Sequence, residues 1–97
     1  MVISIDLDGT FSSDPRMFRE MVRLMRSYGH TVIMITQRCE KFAEEVESIV
    51  QMPDLPIIYA SGQSKEVAAL VAGHDVQFWM DDNPKSVHNA LVYRGCV

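Results

Sequence analysis

The chain has 97 residues, of which 47% are apolar, and its formal net charge is −4. This length suits a single domain spanning residues 1–97, and the apolar content excludes a disordered chain. The negative charge argues against general nucleic-acid binding, which needs clustered Lys and Arg to neutralise phosphates. No apolar run approaches the roughly 20 residues of a membrane span, so no membrane partner is expected. The two cysteines, Cys39 and Cys96, fit no metal-ligand spacing, and a reducing, cytoplasmic location is the simpler interpretation.

The first half of the chain predicts two strand–helix units. Residues 1–5 are apolar and predict a buried strand, and Asp14-Pro15 is typical of a helix start. Residues 31–35 predict a second strand that is buried on both faces, and a second helix is expected from about residue 39 to residue 50. The first helix is expected to end at Gly29. Its apolar stripe is expected to contain Met17, Met21, Leu24, Met25 and Tyr28.

The second half predicts two further units. Residues 56–60 and 76–80 predict the third and fourth strands. A short helix between these strands is expected to end at Gly73 and to use Val67, Leu70 and Val71 as its apolar face. A fourth helix should begin with Asn83 as its cap and Pro84 at its first position, and Cys96–Val97 would be a truncated fifth strand. This alternation of strands and helices predicts an α/β fold with a parallel sheet.

Polar side chains follow the predicted strands at the points where the strands end. Asp6 and Asp8 follow the first strand, and Asp81 and Asp82 follow the fourth. Since the carboxyl ends of parallel strands share one edge of a sheet, these carboxylates should lie close together. Two charges ~4 Å apart repel by about 4 kcal/mol at an effective dielectric constant of ~20. A hard divalent cation relieves this repulsion, and Mg²⁺ is expected as the cofactor because it prefers oxygen ligands.

The residues Asp-Leu-Asp-Gly-Thr (6–10), a strand ending in Thr36, a later Lys65 and then Asp81-Asp82 occur in this order. The series resembles the four motifs of the haloacid dehalogenase (HAD) superfamily of phosphatases and covers residues 1 to about 84. The resemblance implies a three-layer, doubly wound, Rossmann-like fold with about four parallel strands in the order 3-2-1-4. It also implies a Mg²⁺-dependent phosphatase acting on a phosphorylated substrate.

The resemblance implies a role for each matched residue. Asp6 would be the nucleophile that forms an aspartyl-phosphate, and Asp8 the general acid and then base. Thr36 would hydrogen-bond the phosphoryl group, and Lys65 would neutralise it, with Lys85 and Arg38 as its competitors. The metal would be held by Asp6, Asp8 (through its main-chain carbonyl), Asp81 and Asp82, of which Asp82 is favoured over Asp81 as the direct ligand. The residues expected to contact the substrate are Gly9, Thr10, Gln37 and Arg38.

Only residues 11–14 separate the first motif from the following helix, so the chain resembles members without a cap domain. An open site suits a bulky substrate, such as a phosphorylated protein or a polynucleotide end. A small metabolite, or an oligomer that supplies a lid, stays an alternative. Two other functions also stay open: a non-catalytic metal-binding module and phosphotransfer to an acceptor other than water. A receiver-type signalling domain is disfavoured, because the third strand ends in Tyr59-Ala60-Ser61 without an acid.

Overall fold

The computed structural model of this chain describes residues 1–90. The strands are β1 (Val2–Ile5), β2 (Thr31–Thr36), β3 (Ile57–Tyr59) and β4 (Phe78–Met80), and the helices are α1 (Pro15–Ser27), α2 (Ala43–Val50), α3 (Lys65–Val71) and α4 (Lys85–His88). All strand pairs are parallel, and the order β3-β2-β1-β4 confirms the predicted α/β fold and strand order. The predicted fifth strand at residues 96–97 lies outside the described residues.

Helices cover both faces of the sheet. On one face, Ile3 and Ile5 of β1 pack with Phe18 and Val22 of α1 and with residues of α2. On the other face, alternate residues of β2 pack against α3. β2 is therefore buried on both sides, which explains its unbroken apolar sequence. Within the described residues, no helix is both long enough and apolar enough to cross a membrane.

Helix α1 begins as predicted but turns a different face to the sheet. The Asp14 carboxylate caps α1 by accepting a hydrogen bond from the Met17 N–H, at 3.3 Å. The buried residues of α1 are Phe18 and Val22, and the ring of Phe18 lies 6.0 Å from that of Phe11. Apolar residues cover a wide arc of this helix, so their spacing does not identify the centre of the buried face. The predicted stripe is wrong for three residues, which are exposed by 43%, 59% and 76%: Met17, Leu24 and Tyr28.

Helix α3 also departs from the prediction. Its buried residues are Lys65, Ala68 and Ala69, whereas the predicted apolar face is exposed: Val67, Leu70 and Val71. The buried positions follow the i, i+3, i+4 spacing that starts at Lys65. The orientation of α3 therefore directs a lysine, and not the larger apolar side chains, into the protein.

Two helices begin later than the sequence predicts. A 3₁₀ turn at Glu40–Phe42 precedes α2, which starts at Ala43 and not at residue 39. Helix α4 starts at Lys85, and Pro84, not Asn83, occupies its cap position. These differences leave the strand ends unchanged, so they do not affect the placement of the acidic residues.

Candidate active site

The two acidic segments meet at the carboxyl edge of the sheet. Asp6 directly follows β1, and Asp81 directly follows the neighbouring strand β4. The main-chain N–H of Asp6 donates a hydrogen bond to the carbonyl of Met80 at 2.9 Å, which extends the β1–β4 pairing to the first acid. Parallel pairing thus brings together carboxylates that are about three-quarters of the chain apart in sequence.

Lys65 joins the two acidic segments. Its Nζ lies 2.6 Å from Asp6 Oδ1 and 2.6 Å from Asp81 Oδ2. All three side chains are buried: Lys65 is 2% exposed, Asp6 is 8% exposed and Asp81 is 5% exposed. Charge-assisted hydrogen bonds of this length are among the stronger polar contacts in proteins. The competing candidate Lys85 is exposed, so the lysine that contacts the acidic cluster is Lys65.

The loop after Asp6 contributes the Thr10 hydroxyl to the site and brings the Gly9 backbone close to the Asp82 carboxylate. Thr10 Oγ1 donates to Asp6 Oδ2 at 3.2 Å and accepts from the Asp82 N–H at 3.3 Å. Gly9 has a φ of +82°, and a Cβ at this position would collide with the Asp82 carboxylate. Glycine is therefore required here both by its backbone conformation and by the space that Asp82 occupies.

Asp6, Asp81 and Asp82 form a group that fits a metal ion. One carboxylate oxygen from each of them lies within 4.8 Å of the others. Such a hard oxygen donor set suits Mg²⁺, which keeps water in its remaining positions. Gly9 supports this arrangement because its missing side chain leaves room for Asp82. The Asp8 carboxylate is not in this group, and metal binding by the Asp8 carbonyl stays a prediction.

Asp8 is bonded to Arg38 instead. Both oxygens of the Asp8 carboxylate accept from the guanidinium, Oδ2 from Nε at 3.0 Å and Oδ1 from Nη2 at 2.8 Å. The remaining nitrogen, Nη1, lies 3.2 Å from Glu45 Oε1 on α2. The Arg38 side chain thus lies between Asp8 and Glu45 and bonds to both.

Gln37 binds the loop that precedes Lys65. Its Oε1 accepts from the Gly62 N–H at 2.8 Å, and its Nε2 donates to the Gln63 carbonyl at 3.0 Å. Thr36 is fully buried, and its Oγ1 accepts from the Arg38 N–H at 3.2 Å. Gln37 therefore positions the start of α3, while contacts of Thr36 and Gln37 with a phosphoryl group stay predictions.

An open cleft of about 260 Å³ lies over these residues. Its lining includes Ser86, which the sequence did not single out, and Asn83, which the sequence singled out only as a helix cap. Ser86 is buried, and its Oγ donates to the Asn83 carbonyl at 2.8 Å and lies 3.4 Å from Asp81 Oδ2. Ser86 could have been identified from the sequence, because it lies in the first helical turn after Asp81-Asp82. The cleft is lined by Asp6, Asp8, Gln37, Lys65, Asp81, Asp82, Asn83 and Ser86.

The environment of Asp6 changes its acidity. Burial raises the pKa of Asp6 from 3.8 to about 7, although Lys65 lowers it through a hydrogen bond and its charge. A hydrogen bond with the Asp82 carboxyl and the charge of Asp81 raise it further. A cation between these carboxylates would favour the ionised form of Asp6. The site without metal therefore holds Asp6 partly protonated near neutral pH.

This shifted pKa predicts a pH-dependent stability in the absence of metal. A carboxyl whose pKa is raised in the folded state binds more protons there than in the unfolded chain, so its contribution to stability decreases as pH rises. We expect the free energy of unfolding of the wild type in EDTA to fall as the pH rises from 4 to about 7. The part of this fall that is due to Asp6 should be absent in Asp6→Asn. Urea unfolding of both proteins at several pH values measures this difference. Asp75→Asn, at an exposed position, serves as the control; an identical pH profile for the wild type and Asp6→Asn would contradict the assignment.

Comparison of the chain with models of known protein families found no match, and no curated protein or solved structure was matched either. The function must therefore be argued from the geometry of the site.

Proposed function

We propose that this chain is a Mg²⁺-dependent phosphomonoester hydrolase of the HAD type that works through an aspartyl-phosphate on Asp6. The observation that carries the proposal is the buried Lys65 Nζ, which lies 2.6 Å from both Asp6 and Asp81 at the floor of an open cleft. A structural ion pair does not require a third carboxylate, but Asp82 also faces this pair. Phosphoryl transfer needs this combination of a nucleophile, a fixed cation and a metal-binding set of carboxylates.

Each side chain has a defined part in the proposed reaction. A carboxylate oxygen of Asp6 forms a bond to phosphorus as the bond from phosphorus to the leaving oxygen breaks. Asp8 donates a proton to the leaving oxygen, and it later takes a proton from the water that attacks the aspartyl-phosphate and releases inorganic phosphate. Lys65 neutralises charge on Asp6 and on the phosphoryl oxygens. The metal, when bound by Asp6, Asp81 and Asp82, would neutralise further negative charge around the phosphoryl group.

A metal-dependence assay tests the proposal. Purified protein should hydrolyse an aryl phosphate such as p-nitrophenyl phosphate in Mg²⁺, and activity should fall to background in EDTA and return when excess Mg²⁺ is added. Release of inorganic phosphate and of nitrophenol should be equal, because water is the proposed acceptor. Nitrophenol release without an equal amount of phosphate would support a phosphotransferase. No turnover across a panel of phosphomonoesters, together with Mg²⁺ binding by calorimetry, would support the non-catalytic metal-binding module.

The proposal also covers the class of substrate, the oligomeric state and the location of the protein. The open cleft accommodates a phosphate carried on a macromolecule, as well as a small phosphomonoester. An oligomer that covers the cleft and a cytoplasmic location both stay predictions from the sequence. Activity on phosphorylated peptides and oligonucleotides, compared with small esters, distinguishes the substrate classes.

A further inference from the structure

The side-chain amide of Gln37 holds two consecutive residues of the loop before α3. Its Oε1 accepts from the Gly62 N–H at 2.8 Å, and its Nε2 donates to the Gln63 carbonyl at 3.0 Å. Gln37 directly follows β2, and just before this loop the Ala60 N–H donates to the Thr36 carbonyl at 2.7 Å. The Gln37 side chain thus continues, beyond the end of β3, the connection between β2 and the segment that leads into α3.

The loop that Gln37 holds has an unusual backbone. Ser61 has a φ of +52° and Gly62 has a φ of +88°. Glycine adopts this left-handed region readily, but a serine there is uncommon and persists only where surrounding contacts fix it. The bonds from Gln37 to Gly62 and Gln63 directly follow Ser61 and supply such contacts. Without them we expect the loop to populate other conformations.

The position of this loop determines how Lys65 reaches the site. Lys65 is the first residue of α3, two residues after Gln63. Helix α3 packs against β2, whereas the Lys65 ammonium bonds to Asp6 and Asp81, which follow β1 and β4. Because the sheet order is β3-β2-β1-β4, the lysine side chain extends across the strand ends. A shift of the first turn of α3 would therefore move the ammonium relative to the phosphoryl group.

We propose that Gln37 is a positioning residue for phosphoryl transfer, which acts by fixing the loop at residues 61–63 and, through it, the ammonium of Lys65. This inference rests on the proposed function of the site. It differs from the sequence-based prediction that Gln37 contacts the substrate. The benefit of a fixed cation to a transition state depends on its placement, so a displaced Lys65 would lose part of its effect.

A second glutamine of the chain provides a matched control. Gln77 Oε1 accepts from the Val2 N–H at 2.7 Å, and its Nε2 donates to the Asp75 carbonyl at 2.6 Å, near the amino ends of β1 and β4. Gln37→Met and Gln77→Met therefore remove the same kinds of main-chain bonds at opposite ends of the strands. Both should lower Tm by a few degrees. Gln37→Met alone should lower kcat for p-nitrophenyl phosphate, by about 10-fold with little change in KM.

A double-mutant cycle shows whether Gln37 acts through Lys65. In a Lys65→Met background, Gln37→Met should cause little further loss of kcat, because the charge that Gln37 positions is already absent. Gln77→Met should leave kcat unchanged in both backgrounds. An equal loss from Gln37→Met in the two backgrounds would overturn the inference, since Gln37 would then act on the substrate directly or on the site in general. No loss in either background would overturn it as well.

The placement of the Lys65 ammonium can also be followed without turnover. Its signal in heteronuclear NMR spectra should be observable, because the group is buried and bonds to two carboxylates. We expect this signal to shift or broaden in Gln37→Met and to stay unchanged in Gln77→Met. That response in a protein that cleaves no phosphomonoester would support the role of Gln37 in placing Lys65 and contradict the hydrolase. An unchanged signal in Gln37→Met, with normal turnover by the wild type, would contradict the inference and leave the hydrolase intact.

Discussion

Asp6→Asn is expected to abolish phosphomonoester hydrolysis, with a fall in kcat on the order of 10³-fold or more. Asparagine keeps the shape of the side chain and can still accept the Thr10 hydroxyl, which lies 3.2 Å from Asp6 Oδ2. It lacks the carboxylate that would form the bond to phosphorus, so the covalent intermediate cannot form. The measurement is steady-state turnover of p-nitrophenyl phosphate at saturating Mg²⁺.

A second readout distinguishes loss of the nucleophile from loss of the fold. Mass spectrometry of acid-quenched wild type during turnover should show one added phosphoryl group on the peptide that contains Asp6, and Asp6→Asn should show none. Thermal unfolding of both proteins in Mg²⁺ verifies that the variant is folded. Turnover by a folded Asp6→Asn at the wild-type rate would exclude Asp6 as the nucleophile.

Lys65→Met should produce the second large effect. Removing one fixed cation from a phosphoryl-transfer site costs on the order of 10²–10³-fold in kcat. Stability should also fall, because Asp6 and Asp81, both at 2.6 Å from Nζ, lose their common partner while they stay buried. Removing one partner of a buried ion pair costs roughly 3–5 kcal/mol. Turnover and urea unfolding, each measured in Mg²⁺, report the two effects.

Lys85→Met provides the matched comparison for Lys65. It makes the same chemical change at an exposed lysine next to the same acidic segment. We expect its stability to change by less than about 0.5 kcal/mol, as is usual for surface substitutions. A loss of kcat in Lys85→Met that equals the loss in Lys65→Met would show that the buried contact is structural and that the catalytic lysine has been misassigned.

The architecture could be predicted because it depends on patterns that are local in sequence. The unbroken apolar run of β2 indicated burial on both faces, and the regular alternation of elements indicated a parallel sheet. The faces of α1 and α3 could not be predicted in the same way. Apolar residues cover a wide arc of α1, and only one edge of that arc, at Phe18 and Val22, is buried. In α3 the buried face is set by Lys65, whose partners are 59 and 16 residues away in sequence.

In the candidate site, too, some contacts could be predicted from local sequence patterns and others depend on residues that are distant in sequence. The sequence predicted Asp6 and Asp81 as neighbours because strand ends in a parallel sheet share one edge, and Lys65 was added by its place in the series of motifs. It did not identify the partners of Asp8 or Gln37, since these contacts join separate loops. The Asp8–Arg38 bonds span 30 residues, and Gln37 bonds to the main chain 25 and 26 residues later. Loop-to-loop hydrogen bonds of this kind depend on the final packing and leave no periodic signal.

The pairing of β1 with β4 has a consequence for how the molecule folds. β1 is almost at the start of the described chain and β4 near its end, and β4 contributes only three residues at an edge of the four-stranded sheet. A strand this short gains little from its ladder, and closing so long a loop has an entropic cost. A cation that joined Asp6 to Asp82 would bind only after β4 has docked. Metal affinity would then be linked to the docking of β4, and Mg²⁺ would stabilise the state in which β4 is docked.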